Sequence, residues 1–218
     1  MKKIITVLLF FVSPFLGISQ SSPHDLHFNS LSTQWYEAIP LGNGMLGALI
    51  WQKNNHLRFS LDRADLWDLR PMKGLHRPEF SYSWVVEQVN KKDYKPVQEY
   101  FDAPYDREAA PSKIPGGALE FDTKGWGYVR SVQLFLSNAL CEVKWTSGIV
   151  LKTFVHATEP VGWFRFENIT TDFMPKLIAP KYQKDANEKE ENDDLSRLGY
   201  KHGEIQHGVN SITYNQPG

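Results

Sequence analysis

The sequence has 218 residues, and its 24 Lys and Arg residues nearly balance its 25 Asp and Glu residues, for a net charge of −1 at pH 7. This balance excludes the basic surface of a nucleic-acid-binding protein and the polybasic patch of a membrane-surface protein. The length suffices for one domain with its own core. Aromatic residues make up 13% of the chain, a share that suits both a β-rich core and sugar stacking.

Residues 1–19 have the pattern of a secretory signal peptide. Lys2 and Lys3 precede an apolar run over residues 4–12, and Gly17-Ile18-Ser19 supplies the small residues of a cleavage site. The apolar run is too short to remain as a membrane span. The mature chain, residues 20–218, is therefore expected to be exported to the periplasm or the extracellular space, with no membrane span after signal removal.

The most informative stretch covers residues 35–70. Gly42-Asn43-Gly44 predicts a tight turn, because Gly and Asn tolerate positive φ angles. Residues 45–51 are apolar, as in a strand buried on both faces, and residues 57–61 alternate as in a half-buried strand, with a hairpin between them. The letters GNGMLG fit a dinucleotide-binding motif, but no strand clearly leads into them and no amphipathic helix follows. We therefore exclude a dinucleotide site.

Two motifs frame this stretch: W-x-E-A-I-P-L-G-N-G-x-L-G-A-L-I-W, which starts at Trp35, and a corner in which Asp62, Asp65 and Trp67 form D-x-x-D-x-W. Together they resemble the N-terminal domain of glycoside hydrolase family 95, an α-L-fucosidase family, and of its relatives around family 65. The resembled family has similar P-L-G-N-G-x-L-G-A and L-N-E-D-T-L-W motifs. Asp62 replaces its Asn and Arg63 its acid, which indicates a divergent branch.

The resemblance implies an exported, inverting glycoside hydrolase whose acid and water-activating residues lie on an (α/α)6 helical barrel. The sequence contains no amphipathic helical array, so this barrel is expected to be absent and no catalytic residue is predicted in the chain. Asn43, Asp65 and Trp67 are the predicted substrate-binding residues, facing the sugar pocket of the barrel. The acids of the corner are otherwise expected to cap turns or to pair with Arg63 or Arg70.

Residues 71–115 are rich in Pro and predict a helical and loop excursion over the sheet surface. Within it, residues 83–101 have apolar side chains at helical spacing. They predict two short helices, the second with Pro96 in its first turn, where Pro is tolerated.

Residues 116–169 contain strand-like segments about every ten residues, separated by turn residues, and predict an antiparallel meander. Cys141 alternates with Val143 and Trp145 and is the only cysteine, so it is expected to be a buried structural thiol without a disulfide. The predicted fold is mainly β, an antiparallel β-sandwich of the supersandwich type that is incomplete at the C-terminus.

No metal site and no cofactor are predicted. His156 ends a strand and is expected to be a hydrogen-bonded edge residue. His202 and His207 lie five residues apart, which is not the spacing of a zinc-binding helix. Residues 181–197 are highly charged and predict a solvated loop, after which residues 208–214 return to a strand pattern.

These observations favour the non-catalytic N-terminal part of a longer glycoside hydrolase that acts on an oligosaccharide or polysaccharide of the α-L-fucoside or α-L-galactoside type. An alternative is a stand-alone exported carbohydrate-binding β-sandwich. A stable fold of the chain alone with measurable affinity for glycans would favour the alternative.

Overall fold

Two five-stranded antiparallel sheets pack face to face around one hydrophobic core. The computed structural model describes residues 22–74, 76–170, 174–183 and 195–216. The predicted signal peptide, residues 1–19, and most of the charged run, residues 181–197, lie outside the described residues. None of the helices in the described ranges is long and apolar enough to span a membrane.

The described strands are short to medium in length. In chain order they are β1 Leu26–Phe28, β2 Ile39–Gly42, β3 Leu46–Lys53, β4 His56–Arg63, β5 Trp67–Asp68, β6 Ser112–Lys113, β7 Ala118–Asp122, β8 Val129–Phe135, β9 Leu140–Trp145, β10 Val150–Val155, β11 Gly162–Glu167, β12 Lys176–Ile178, β13 Ile205–His207 and β14 Ile212–Tyr214.

Sheet I has the strand order β1-β8-β9-β10-β11, and sheet II has the order β12-β7-β4-β3-β2. In sheet II, β3 and β4 pair along their whole length, with Ile50 opposite Phe59 on the face toward sheet I. On the other face of β3 only Trp51 is buried, whereas Gly47 and Leu49 are partly exposed, so the expectation of a strand buried on both faces is met only at Trp51. These findings confirm the predicted antiparallel β-sandwich.

Aromatic rings join the two sheets. Phe121 of β7 lies 5.6 Å from Phe59 of the same sheet and 5.1 Å from both Phe164 and Phe166 of β11, measured between ring centroids. The rings meet edge to face or tilted, the geometries that aromatic pairs prefer. The aromatic contacts of sheets I and II therefore converge on Phe121. Its side chain is fully buried.

Cys141 is fully buried in β9, on the same face as Val143 and Trp145. Burial raises the pKa of its thiol to about 12, since a low-dielectric surrounding disfavours the thiolate. The prediction of a structural thiol is confirmed.

The expectation that no strand leads into the Gly42-Asn43-Gly44 turn is wrong. β2 ends at Gly42 and pairs with β3. β2 is hard to recognise in the sequence because this strand is only four residues long and contains Pro40. Pro is tolerated there because β2 lies at the edge of its sheet. The element after the turn is β3 and not a helix, so the exclusion of a dinucleotide site stands.

The described residues of the excursion form three helices: α1 Tyr82–Lys91, α2 Lys95–Phe101 and α3 Ala103–Arg107. The first two confirm the sequence prediction, and Pro96 lies in the first turn of α2. Ser81 caps α1 by accepting a hydrogen bond from the Trp84 amide at 3.3 Å. The excursion leaves and rejoins the sandwich through the two-stranded ribbon of β5 and β6.

A second, smaller hydrophobic cluster lies beside the sandwich. It joins the end of the excursion to the C-terminal segment, and its buried members are Ile114, Tyr182, Leu195 and Leu198. The predicted strand within residues 208–214 is confirmed as β14, which pairs with β13.

We predict that Phe121→Ala lowers the free energy of unfolding by about 3–5 kcal/mol, because it leaves a cavity where the aromatic contacts of both sheets converge. Phe28→Ala, in the exposed edge strand β1, is the matched control and should cost about 1 kcal/mol or less. Urea unfolding followed by circular dichroism measures both. Equal losses in the two variants would contradict the central role of Phe121.

Candidate functional site

The predicted site residues lie at one end of the sandwich. The turn between β2 and β3 contacts the end of β4, because Leu46 pairs with Arg63 and the Ala64 amide donates to the Met45 carbonyl at 2.8 Å. The loop between β10 and β11 lies beside the same turn. We call this region the corner end. It consists of the turn at residues 43–45, the corner at residues 62–68 and the loop at residues 156–161.

Asn43 connects the two sheets at the corner end. Its Nδ2 donates to the carbonyl oxygens of His156 at 2.8 Å and of Glu159 at 2.9 Å. Its Oδ1 accepts from the amides of Met45 at 3.0 Å and Leu46 at 2.9 Å. Both donors and both lone pairs of the amide are thus used within the protein. The flanking Gly44 has a φ of +88°, which explains glycine there.

The His156 ring shapes the adjoining loop. Its Nδ1 accepts from the amides of Thr158 at 3.3 Å and Glu159 at 3.0 Å, which fixes Nδ1 as the unprotonated nitrogen. The His156 amide donates to the Val161 carbonyl at 2.8 Å. The prediction of a hydrogen-bonded edge residue is confirmed.

Arginine and lysine side chains neutralise the acids at the exposed side of the corner. Arg63 binds Asp65 through two hydrogen bonds, Nε to Oδ1 at 3.0 Å and Nη2 to Oδ2 at 2.7 Å. The hydrogen bond from Arg63 lowers the pKa of Asp65. Lys113 Nζ donates to Asp62 Oδ1 at 2.6 Å and to the Arg63 carbonyl at 2.5 Å. Asp65 therefore stays ionised at neutral pH and can accept further hydrogen bonds.

Trp67 lies in β5 opposite Lys113 of β6 and is 48% exposed. Met45 of the turn and Val161 of the neighbouring loop are exposed as well. Large apolar side chains are therefore exposed on three segments of the corner end.

Asp68 is the buried acid of the corner, with only 3% of its surface exposed. It accepts hydrogen bonds from the Arg70 guanidinium, from the Arg70 amide at 2.9 Å and from Tyr200 Oη at 2.9 Å. Arg70 also donates to the Leu198 carbonyl at 2.7 Å, and its guanidinium lies 5.5 Å from the centre of the Tyr200 ring. This network ties the corner to the C-terminal segment.

The electrostatics of the network follow from these contacts. Hydrogen bonds from Arg70 lower the pKa of Asp68 to about 2 from an ordinary value of 3.8, against the opposing effect of burial. Burial raises the pKa of Tyr200, and its hydrogen bond to Asp68 acts in the same direction. Asp68 is therefore a charged structural group at neutral pH.

No group of three or more His, Cys, Asp or Glu side chains suitable for a metal ion occurs within the described ranges.

A family model described as glycosyl hydrolase family 65, N-terminal domain, matches residues 26–169. The chain belongs to this family. The match spans β1 to β11 of this family 65 N-terminal domain, together with the whole corner end. It confirms the glycoside hydrolase N-terminal domain that the motifs indicate, whereas family 95 in particular stays a prediction. A search of curated proteins finds no match.

In this family 65 N-terminal domain, the structure brings Asn43, Asp65 and Trp67 to the same end of the sandwich. Their assignment to substrate binding stays a prediction, and the amide of Asn43 already makes four hydrogen bonds to the protein. Sequence reasoning missed Lys113 and Tyr200. A lone Lys after a Pro-rich excursion gives no local signal, and only tertiary folding places it beside Asp62.

Stability should depend on pH through Asp68. The pKa of Asp68 is lower in the folded than in the unfolded chain. The ion pair between Asp68 and Arg70 therefore stabilises the fold above about pH 3.8, and this stabilisation is lost as the pH falls toward 2. We expect on the order of 1 kcal/mol, since water screens the half-exposed Arg70. The difference in unfolding free energy between the unmodified chain and Asp68→Asn should shrink between pH 5 and about pH 2.

The exposed Asp106→Asn serves as the control and should show no such pH-dependent difference. Urea titrations at a series of pH values measure it. A constant difference for Asp68→Asn across the whole range would show that Asp68 does not stabilise the fold through its charge.

Proposed function

We propose that this chain is the non-catalytic N-terminal part of an exported glycoside hydrolase of the family 95 and family 65 group. In this proposal its corner end completes the sugar pocket of a separate (α/α)6 catalytic domain. The observation that carries it is the family match over residues 26–169, which includes sheet I, all of sheet II except β12, and every predicted site residue.

The state of the acids supports a non-catalytic role for the corner. A glycoside hydrolase needs an acid that is protonated near neutral pH, and such an acid has a raised pKa. The pKa values of Asp65 and Asp68 are instead lowered by their hydrogen bonds with Arg63 and Arg70. Such carboxylates accept hydrogen bonds from sugar hydroxyls well, but they are poor proton donors.

The three predicted site residues have distinct proposed roles. The half-exposed ring of Trp67 offers an apolar surface for one face of a sugar. Asp65, held in place by Arg63, accepts hydrogen bonds from sugar hydroxyl groups. Asn43 acts indirectly, because its amide is used to fix the turn against the loop at residues 156–161.

The substrate class of the proposal is an α-L-fucoside or α-L-galactoside within a larger glycan. The motif beginning at Trp35 and the D-x-x-D-x-W corner support it through their resemblance to the fucosidase family. The substitutions at Asp62 and Arg63 point to a divergent branch of that family, so the test includes both sugars.

The test uses the full-length enzyme that contains this chain, with 4-nitrophenyl α-L-fucopyranoside and 4-nitrophenyl α-L-galactopyranoside as substrates. We expect Trp67→Ala and Asp65→Ala each to lower kcat/KM about tenfold, mainly through a higher KM, because they remove contacts with bound sugar. Tyr128→Ala is the control, an exposed aromatic far from the corner end, and should retain activity.

Unchanged kcat/KM in both corner variants would refute the role of the corner end. Hydrolysis of either substrate by the present chain alone would refute the proposed non-catalytic role.

Export is part of the proposal and has its own test. When the gene is expressed with an intact secretion pathway, the mature protein should begin near Gln20, because residues 1–19 have the pattern of a signal peptide. N-terminal sequencing of the secreted or periplasmic protein measures this. Recovery of cytosolic protein that still contains residues 1–19 would contradict export.

A further inference from the structure

An open groove with a volume of about 1280 Å³ follows the outer face of sheet II, the face turned away from sheet I. It extends along β4 from His56 to Asp62, which is roughly 20 Å at the rise of a strand. This volume exceeds the range of about 300–1,000 Å³ that is typical of small-molecule pockets. Its size and elongated form therefore suit an extended ligand.

Two exposed aromatic residues line one end of the groove. Trp35 is 58% exposed and Tyr36 is 67% exposed, and their rings stand at 81° to each other with centroids 5.9 Å apart. Both lie in the 3₁₀ turn Trp35–Glu37, which packs against β3. Exposed rings held at a right angle present a platform and a side wall to a ligand.

Local hydrogen bonds hold this aromatic pair in place. Ser32 Oγ donates to Glu37 Oε2 at 2.9 Å and accepts from the Gln34 amide at 2.9 Å. The amides of Glu37 and Ala38 donate to the carbonyls of Gln34 and Trp35, both at 3.2 Å. These hydrogen bonds fix the backbone of the turn that carries the two rings, so less backbone freedom is lost when a ligand binds.

The floor of the groove is polar, and its central charges are paired with each other. The Arg58 guanidinium forms an ion pair with Glu120, and Arg58 Nε donates to Ser60 Oγ at 3.3 Å. Trp51 Nε1 donates to the same Ser60 oxygen at 2.9 Å. Both lone pairs of that oxygen are used, so the hydroxyl of Ser60 still has its hydrogen to donate.

The far end of the groove continues this pattern. Lys113 and Asp62 line it and pair at 2.6 Å. Breaking the Arg58–Glu120 pair, whose side chains are 18% and 13% exposed, to bind a charged ligand would leave a largely buried partner unpaired, which is costly. The floor therefore favours a neutral ligand with many hydroxyl groups over an anionic one.

We propose that this groove binds a neutral oligosaccharide strand, with Trp35 and Tyr36 as its stacking platform and Ser60 and the Arg58–Glu120 pair as its hydrogen-bonding floor. The inference goes beyond the proposed function, because the groove lies within the present chain and needs no catalytic domain. It also leads toward Asp62 of the corner end and its partner Lys113, so a bound strand would point toward the pocket proposed there.

The test is isothermal titration calorimetry of the whole chain with maltohexaose, cellohexaose and xylohexaose, each measured separately, and with trigalacturonate as the anionic probe. We expect at least one neutral hexasaccharide to bind, and Trp35→Ala and Tyr36→Ala each to weaken that binding about tenfold. Trp163→Ala is the matched control, since Trp163 is also 58% exposed but lies on sheet I. It should leave the affinity unchanged.

Changes in the backbone amide chemical shifts of the unmodified chain, measured by nuclear magnetic resonance, give a second readout. This readout does not depend on whether a variant folds. Binding should move the amides of β4, β7 and residues 35–37. The absence of binding by all three neutral probes, a preference for trigalacturonate, or an equal loss in Trp163→Ala would each overturn the inference. These measurements use the chain alone, so their outcome is independent of the kinetic test of the corner end.

Discussion

The side chain of Asn43 is the constraint on which the corner end depends. One amide fixes the turn between β2 and β3 through its oxygen and ties that turn to the loop between β10 and β11 through its nitrogen. Sheets I and II are therefore locked together where the predicted site residues lie. Aspartate has the same size but no N–H group to donate to the two carbonyls, and the side chain of glutamine is one methylene longer. The position therefore requires both the length and the amide group of Asn.

The strands with strong alternation could be predicted from the sequence, because alternation records which face meets the core. β9 shows this, with Cys141, Val143 and Trp145 all buried. The strands that lack such a pattern could not be predicted. β2 contains Pro40 at a sheet edge, and β5 and β6 have two residues each, so neither hydrophobic period nor length identifies them.

The candidate site divides in the same way. The motifs located Asn43, Asp65 and Trp67 because they are close in sequence to the turn and corner. The network around Asp68 needs Tyr200 and the Leu198 carbonyl, which are more than 120 residues away. No local pattern encodes such a pairing, since it arises only when the C-terminal segment packs over Ile114. The sequence did indicate that the acids of the corner cap turns or pair with Arg63 or Arg70, and the structure shows the pairs Arg63–Asp65 and Arg70–Asp68.

Paired charges connect the corner and the groove. Four acids described there have a basic partner within the domain: Asp62 with Lys113, Asp65 with Arg63, Asp68 with Arg70 and Glu120 with Arg58. Pairing of this kind weakens the local electric field but keeps oriented hydrogen-bond donors and acceptors. Such a surface suits a neutral ligand with hydroxyl groups better than an ion. The hydrogen bonds that lower the pKa of Asp65 and Asp68 make these two acids poor proton donors but leave them good acceptors for sugar hydroxyl groups. Lys113 belongs to both regions, since it pairs opposite Trp67 in the ribbon of β5 and β6 and binds Asp62 at the end of the groove. A ligand held along sheet II would therefore pass the Arg58–Glu120 and Asp62–Lys113 pairs on its way to the corner end.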